Sequence, residues 1–227
     1  MTCVDPFTGH QLWAEDYDES PNPLLALEQR ELSKLLPSLS DLSLADVACG
    51  TGRWMSYALR VKARSVVGVD FSPKMLQQAI RKPELSGKVI LAKAPQIPLR
   101  TSSIDVLICG FALGYFQELN SIASEFQRIL KPGGFLFCSD FHPFAHLWGW
   151  KRSFRRDGIR VEIESTPHQV TDIFAAFDNR FRLGKKIDLS LGESERPFFE
   201  RAGKLEVFHQ VEDIPAVILF QWQKRVC

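Results

Sequence analysis

Residues 42–62, LSLADVACGTGRWMSYALRVK, decide how this chain folds. The first part, Leu42–Gly50, is a short apolar run that ends at a glycine, which is typical of a buried strand. The second part, Gly52–Lys62, places its apolar residues at helical spacing. A strand that passes through a glycine turn into a helix is the first half of a β-α-β unit, so this stretch predicts a parallel sheet.

The same alternation of strands and helices continues on both sides of this stretch. Apolar runs predict four further strands, and amphipathic segments predict three further helices. The strands are Ser65–Asp70, Lys88–Lys93, Ile104–Phe111 and Phe135–Phe141, and the helices lie within Ser20–Leu39, Ser72–Lys82 and Leu119–Lys131. Strands without polar alternation indicate a sheet that is covered on both faces.

The pattern changes after Phe141. Asp157-Gly158 between extended flanks predicts a hairpin over Phe154–Ser165, and Val170–Phe177 has a helical pattern. Arg180–Ser190 and Ile214–Lys224 are predicted to form an antiparallel pair that closes the sheet. The predicted fold is therefore α/β and Rossmann-like: a doubly wound, mostly parallel seven-stranded sheet with an antiparallel edge strand and an inserted lid.

Composition excludes several classes of protein. Lys and Arg total 28 against 27 Asp and Glu, so the net charge is +1, which gives no footprint for nucleic acid. The five cysteines show no C-x-x-C pair, which favours reduced thiols over disulfides or a metal site. The acidic N-terminus does not resemble a signal peptide, and Val106–Phe116 is too short to span a bilayer. We expect a soluble, cytoplasmic protein without a bound metal.

The turn Gly50-Thr51-Gly52 is a candidate ligand loop. Glycines let the backbone approach a ligand, and a helix N-terminus favours negative charge. The dinucleotide fingerprint needs a third glycine where Met55 stands, so a pyrophosphate site is not indicated. Asp70 ends the next strand, where a carboxylate can accept hydrogen bonds from both ribose hydroxyls or can cap the helix that starts at Ser72. The two features together favour a nucleoside site.

Four ordered motifs carry a family resemblance: DVACGTGRW, VVGVDFSPKML, IDVLICGFALGYF and RILKPGGFLFCSDF. They resemble class I S-adenosylmethionine-dependent methyltransferases, and most of all the small-molecule group that includes ubiquinone and menaquinone biosynthesis methyltransferases. The resemblance covers about Trp13 to Phe141. It implies S-adenosylmethionine as cofactor and S-adenosylhomocysteine as product.

The resemblance also implies which residues bind the cofactor. The first loop wraps the methionine portion, Asp70 holds the ribose, and Phe71 stacks against adenine with Met75 nearby. Tyr17 belongs to an N-terminal segment that folds over the cofactor in relatives, and a surface position is the alternative. The implied cofactor-binding residues are Tyr17, Asp46, Ala48, Cys49, Gly50, Gly52, Trp54, Asp70, Phe71, Met75, Ala94, Pro95, Gln96, Cys109 and Gly110.

The sequence departs from the family pattern at two positions. Lys93 stands where many relatives have an aspartate that reaches the adenine amine, and lysine cannot accept that hydrogen bond. Ala94 and Pro95 can still supply backbone and shape. Ala48 replaces a glycine of the first loop, which is a mild change provided that its φ is negative.

Catalytic candidates follow the later strands. His142 and His168 are candidates for a general base, and Tyr115 for the wall of the acceptor site; a structural role is the alternative for each. The lid contains the aromatics Phe141, Phe144, Trp148, Trp150 and Phe154, which form either an acceptor pocket or plain core. Its basic residues Lys151, Arg152, Arg155 and Arg156 bind an acidic acceptor or form a solvated face.

We predict a methyltransferase that moves a methyl group by in-line displacement to O, N or C of a small-molecule acceptor. A non-catalytic, cofactor-binding interaction protein and an NAD(P)-dependent oxidoreductase are the alternatives. The predicted domain is single, 1–227. It is divided into an N-terminal helical cap (1–40), a cofactor-binding core (41–141), an inserted lid (142–168) and a C-terminal helix with antiparallel strands (169–227). The acceptor and the oligomeric state stay open.

Overall fold

The computed structural model describes residues 2–226, so the predicted thiol of Cys227 lies outside the described residues. The helices are α1 Pro6–Trp13, α2 Pro23–Ser33, α3 Arg53–Arg60, α4 Pro73–Ile80, α5 Leu119–Ile129, α6 Pro143–Leu147, α7 Val170–Phe177, α8 Arg196–Arg201 and α9 Leu205–Val211. The strands are β1 Thr2–Val4, β2 Ser43–Val47, β3 Ser65–Asp70, β4 Val89–Leu91, β5 Ile104–Gly110, β6 Leu130–Phe141, β7 Ser153–Arg156, β8 Ile159–Ile163, β9 Phe181–Ser190 and β10 Pro215–Lys224.

The main sheet has seven strands in the order β4-β3-β2-β5-β6-β10-β9. The first five strands are mutually parallel, and β10 is antiparallel to both β6 and β9. The predicted fold class is therefore confirmed. The strand order changes direction between β2 and β5, and the carboxyl ends of strands beside such a switch point form a crevice for ligands.

The sheet is buried on both faces, as the apolar runs predicted. Val106 and Leu107 of β5 point to opposite faces, and both are fully buried. Cys49, Cys109 and Cys138 are buried free thiols. Burial of a thiol among apolar side chains raises its pKa, as it does for Cys49, so these cysteines pack as small hydrophobes.

A second sheet covers the crevice. It has the order β1-β8-β7, and its hairpin turns at Asp157-Gly158 as predicted. The sequence reading missed β1, which pairs in parallel with β8, and α1, whose first turn is capped by the Asp5 carboxylate. Gly9 brings α1 close to β8, since a Cβ there would lie 2.7 Å from Ile163 Cγ1. This contact holds the next residue, His10, above the main sheet.

Other differences concern the ends of elements and the polar stretch between β9 and β10, for which the sequence analysis predicts no element. The strand predicted from Phe135 begins at Leu130, and α2 covers only the first half of the predicted helical segment. The polar stretch contains α8 and α9, which the sequence reading missed. Within residues 2–226, no helix has the length and apolar character needed to cross a membrane.

Candidate functional site

A cavity of about 210 Å³ lies at the carboxyl ends of β2, β3, β5 and β6. Its walls include eleven residues that the sequence analysis singled out as possible cofactor or acceptor contacts: Tyr17, Ala48, Gly50, Asp70, Phe71, Met75, Gly110, Tyr115, Phe141, Lys151 and Arg152. Residues of α1, α2 and the start of β7 close the cavity from the other side. The cavity therefore occupies the predicted crevice.

Asp70 connects the two sides of the predicted nucleoside site. Its Oδ2 accepts the backbone N–H of Gly50 at 2.8 Å, and its Oδ1 accepts that of Ser72 at 2.8 Å. The bond from Ser72 shows that Asp70 also supports the start of α4, as the alternative role predicted. The Ser72 hydroxyl is the cap of α4 itself, because it accepts the Met75 N–H. A carboxylate has about four lone-pair sites, so two sites are left for ligand hydroxyls. Burial raises the pKa of Asp70.

The loop between β2 and α3 has the left-handed backbone that glycine favours. Gly50 has φ +53° and Gly52 has φ +84°. A Cβ on Gly52 would lie 2.3 Å from Leu85 Cδ1, so this glycine is required by close packing beneath the loop. Ala48 has φ +60°, so the condition under which its replacement of glycine would be mild is not met.

Asp46, at the end of β2, is a buried carboxyl without a hydrogen-bond donor among the described residues. It is only 2% exposed. Burial raises its pKa to about 8, which makes the group neutral at moderate pH. A cationic ligand group beside it would favour the carboxylate form, because an opposite charge stabilises a buried charge.

Glu28 of α2 is a second buried carboxylate, and the sequence reading missed it. Its Oε1 accepts hydrogen bonds from the Trp54 indole at 3.2 Å and the Ser139 hydroxyl at 2.7 Å. Its Oε2 lies 2.7 Å from the Arg53 guanidinium. A Cβ on Gly110 would lie 3.0 Å from Glu28, so the cavity wall and this network are in contact.

Tyr115 and Arg152 form the other end of the cavity. The Arg152 guanidinium stacks over the Tyr115 ring at 4.6 Å and over the Phe141 ring at 4.7 Å. It pairs with the Asp140 carboxylate and donates to the Phe111 carbonyl at 2.7 Å. Arg152 is 6% exposed and its Nε has no partner among the described residues, so one of its donors is buried and unsatisfied. Burial raises the pKa of Tyr115.

His10 also lines the cavity, although the sequence analysis chose His142 and His168 as the candidate bases instead. Its Nδ1 donates to the Pro6 carbonyl at 2.6 Å, so Nε2 carries the lone pair of the neutral ring. The ring lies 5.0 Å from that of Tyr115 and 5.8 Å from that of Phe71. Burial lowers the pKa of His10. The signal that marks α1, Asp5 followed by Pro6, would have been visible in the sequence.

The remaining cofactor candidates lie around the cavity rather than in its wall. Asp46, Cys49, Gly52, Trp54 and Cys109 are buried behind it. Ala94, Pro95 and Gln96 lie in an irregular segment after β4, outside the lining. Lys93 is exposed and also lies outside the lining.

His142 and His168 do not line the cavity. His142 accepts the Phe144 N–H as the cap of α6, and its Nε2 lies 3.2 Å from Asp188. His168 Nε2 lies 2.8 Å from the Phe116 carbonyl. Of the three catalytic candidates, Tyr115 is the one that reaches the cavity.

The wall contains further residues that sequence reasoning placed elsewhere or did not consider. They come from α1 and α2, from the segment after β5 and from the lid. These residues are His10, Trp13, Asn22, Leu24, Leu25, Phe111, Ala112 and Ser153.

The sheet order, the switch-point crevice and the carboxylate that ends β3 define a Rossmann-like fold of the methyltransferase type. Residues 45–138 match the family model described as "Methyltransferase domain". The resemblance found in the sequence is thereby confirmed for this part of the chain.

Solved structures support the same fold. An S-adenosylmethionine-dependent methyltransferase from Mesorhizobium loti superposes with a TM-score of 0.70 at 20% identity, over 89% of this chain and 100% of that one. A geranyl diphosphate C-methyltransferase from Streptomyces coelicolor A3(2), in complex with S-adenosyl-L-homocysteine, has a TM-score of 0.63 at 20% identity, over 89% of this chain and 81% of that one.

A curated relative is more similar in sequence. A demethylmenaquinone methyltransferase from Lactococcus lactis is 31% identical over 148 residues, which are 60% of this chain and 58% of the relative. The chain thus spans little more than half the length of this relative.

Proposed function

We propose that this chain is an S-adenosylmethionine-dependent methyltransferase that acts on a small-molecule acceptor. The observation that carries the proposal is the Asp70 carboxylate, which ends β3, accepts the Gly50 N–H and faces the cavity at the switch point of the sheet. The match of residues 45–138 to the methyltransferase domain supports the same reaction class.

The residues present fit the proposed cofactor. Asp70 has acceptor capacity for ribose hydroxyls, and the open loop at Gly50, where a Cβ would meet nothing within 4 Å, leaves room for a ligand against the backbone. The unpaired Asp46 carboxyl, behind the same loop, suits the positive charge of the methionine end. Phe71 and Met75 offer an apolar wall for adenine.

The protein's contribution to methyl transfer is placement. When bound, S-adenosylmethionine supplies a sulfonium methyl that needs no further activation by the protein. The rings of Tyr115 and Phe141 and the guanidinium of Arg152 would hold the acceptor atom in line with that methyl. Tyr115 offers a hydroxyl beside the acceptor. His10 lines the same cavity, and the lone pair on its Nε2 would take up the proton of an acceptor that must lose one.

Calorimetric titration of the purified chain with S-adenosylmethionine and, separately, S-adenosylhomocysteine tests the proposal. NADH serves as the control ligand because it contains the same adenosine ribose but needs the pyrophosphate loop that Met55 interrupts. We expect binding of both sulfur ligands with Kd values in the micromolar range, roughly, and none of NADH. Binding of NADH alone would assign the cavity to an oxidoreductase, and binding of neither would assign the fold to a non-catalytic role.

A further inference from the structure

Among the described residues, three of the six large apolar side chains that are more than half exposed lie together on one short helix beside the cavity. Phe144 and Leu147 belong to α6, and Trp148 is the residue at its C-terminus. These three residues are 53%, 79% and 62% exposed, respectively. Their i, i+3 and i+4 spacing places them on one face of the helix. Single exposed apolar residues are ordinary, but three large ones on one face mark a surface that binds something apolar.

This apolar face is continuous with the wall of the cavity. Phe141 precedes α6 and lines the cavity, and Lys151 and Arg152 line it again immediately after the helix. The chain therefore leaves the cavity, presents the apolar face to solvent and returns to the cavity. An apolar molecule that covers the face would sit at the mouth of the proposed acceptor site.

The surface that follows the apolar face is basic. Arg155 and Arg160 are directly opposed in the hairpin, and Ser153 is opposed to Glu162, so these side chains lie on one face. The side chain of Lys151 joins that face through its contact with Glu162 at 3.4 Å. Among Lys151 and the paired strand residues, three cations thus share the face with one carboxylate, while Asp157 lies at the turn and Glu164 follows β8. The other face buries Phe154 and Val161 against α1.

Aromatic and aliphatic side chains next to exposed lysine and arginine form the pattern of a segment that lies in a membrane interface. Tryptophan prefers the headgroup level, leucine and phenylalanine enter the acyl boundary, and the basic groups contact lipid phosphates. A protein partner would explain the apolar face equally, but the adjacent excess of cations specifically favours an anionic lipid surface.

We propose that Phe144, Leu147 and Trp148 form an interfacial anchor that docks this protein on anionic membranes, with Arg155 and Arg160 on the lipid phosphates. Docking in this orientation brings the mouth of the cavity to the lipid surface, so an acceptor that resides in the membrane can enter without crossing water. Docking itself does not depend on methyl transfer.

Co-sedimentation with lipid vesicles tests the anchor. The full chain is mixed with vesicles of phosphatidylcholine alone or of phosphatidylcholine with phosphatidylglycerol. We expect binding to the anionic vesicles, and we expect the Leu147→Ser/Trp148→Ser double variant to lose roughly tenfold or more in partitioning. Leu91→Ser is the matched control, since Leu91 is 60% exposed but lies on β4 at the opposite edge of the sheet. It should bind as the wild type does.

A charge variant and a self-association measurement complete the experiment. Arg155→Gln/Arg160→Gln should weaken binding to anionic vesicles and flatten its dependence on salt, because fewer cations contact phosphate. Equal sedimentation of wild type and the Leu147→Ser/Trp148→Ser variant would overturn the proposal. Size-exclusion chromatography with light scattering measures self-association. A wild type that is dimeric and a Leu147→Ser/Trp148→Ser variant that is monomeric would also overturn the proposal, because the face would then bind a second copy of the chain. Titration of each variant with S-adenosylmethionine keeps a failure of docking distinct from a failure of the cofactor site.

Discussion

The backbone N–H of Gly50 donates a 2.8 Å hydrogen bond to Asp70 Oδ2 across 20 residues of sequence. This bond joins the loop after β2 to the carboxylate that ends β3, so the two elements that would hold the methionine and ribose portions of the cofactor are mechanically one unit. The second oxygen of Asp70 fixes the start of α4 through Ser72. The carboxylate is therefore both a proposed ligand contact and a structural link.

Replacement of Asp70 should reduce cofactor affinity. Asp70→Ala removes the acceptor for the ribose hydroxyls and releases the Gly50 N–H, so we expect the Kd for S-adenosylmethionine to rise by about tenfold or more. Calorimetric titration measures it, with circular dichroism to verify the fold. Asp213→Ala is the matched control, because Asp213 is exposed and outside the cavity wall. A folded Asp70→Ala variant with wild-type affinity would remove Asp70 from the cofactor site.

The sequence predicted the parallel strands and the β3 carboxylate because their signals are local. A strand covered on both faces must be a continuous apolar run, as Val106–Cys109 is, and a strand that ends at a ligand crevice leaves its last side chain there, as Asp70 does. The predicted ends of elements were less accurate. The start of β6, for example, depends on the pairing of Leu130 with Ile104 of β5, which no local pattern shows.

The walls that α1, α2 and the lid contribute were mostly missed, because their placement is set by distant contacts. Gly9 packs on Ile163, and Glu28 of α2 accepts hydrogen bonds from Trp54 of α3 and Ser139 of β6. A glutamate on an amphipathic helix is ordinarily read as solvent-exposed, and no local pattern shows that this one is buried. The histidines after β6 were chosen by their position, but His10 reaches the cavity through packing.

Replacing Ala48 with glycine should stabilise the folded protein. With φ +60°, Ala48 has a left-handed backbone conformation, which costs a residue with a Cβ about 1–2 kcal/mol. Ala48→Gly relieves this cost but adds freedom to the unfolded chain, so we expect a gain of about 0.5–1 kcal/mol in the free energy of unfolding. Urea denaturation measures it. Ala58→Gly, in the middle of α3, should have the opposite sign, and a loss of stability in Ala48→Gly would contradict the strain argument.

Glu28 should be important for stability, because its carboxylate is fully buried and forms an ion pair with Arg53. Glu28→Gln removes that charge and disturbs the hydrogen bonds from Trp54 and Ser139, so we expect the free energy of unfolding to fall by about 3 kcal/mol. Glu31→Gln, which weakens only the partly exposed pairs with Arg30 and Lys34, should cost less than about 1 kcal/mol. Equal urea midpoints for the two variants would show that the Glu28 network contributes nothing.

Asp46 should make stability depend on pH in a direction opposite to that of most carboxyl groups. Its pKa rises from an ordinary 3.8 to about 8 in the folded chain, so between these values the folded state holds a proton that the unfolded state has released. The contribution of Asp46 to stability therefore falls as pH rises through this window, by up to about 1.4 kcal/mol per pH unit, and levels off above the folded pKa.

Asp46→Asn keeps the neutral form at every pH, so it isolates this contribution. Urea denaturation at intervals from acidic pH to beyond the folded pKa of about 8 should show the stability of the wild type decreasing relative to that of Asp46→Asn, most steeply below that value. Saturating S-adenosylmethionine should reduce the difference, because a cationic group beside the carboxylate stabilises its charged form. Two stability curves that stay parallel over this range would mean that Asp46 ionises normally in the folded chain, and that burial without a donor does not control its charge.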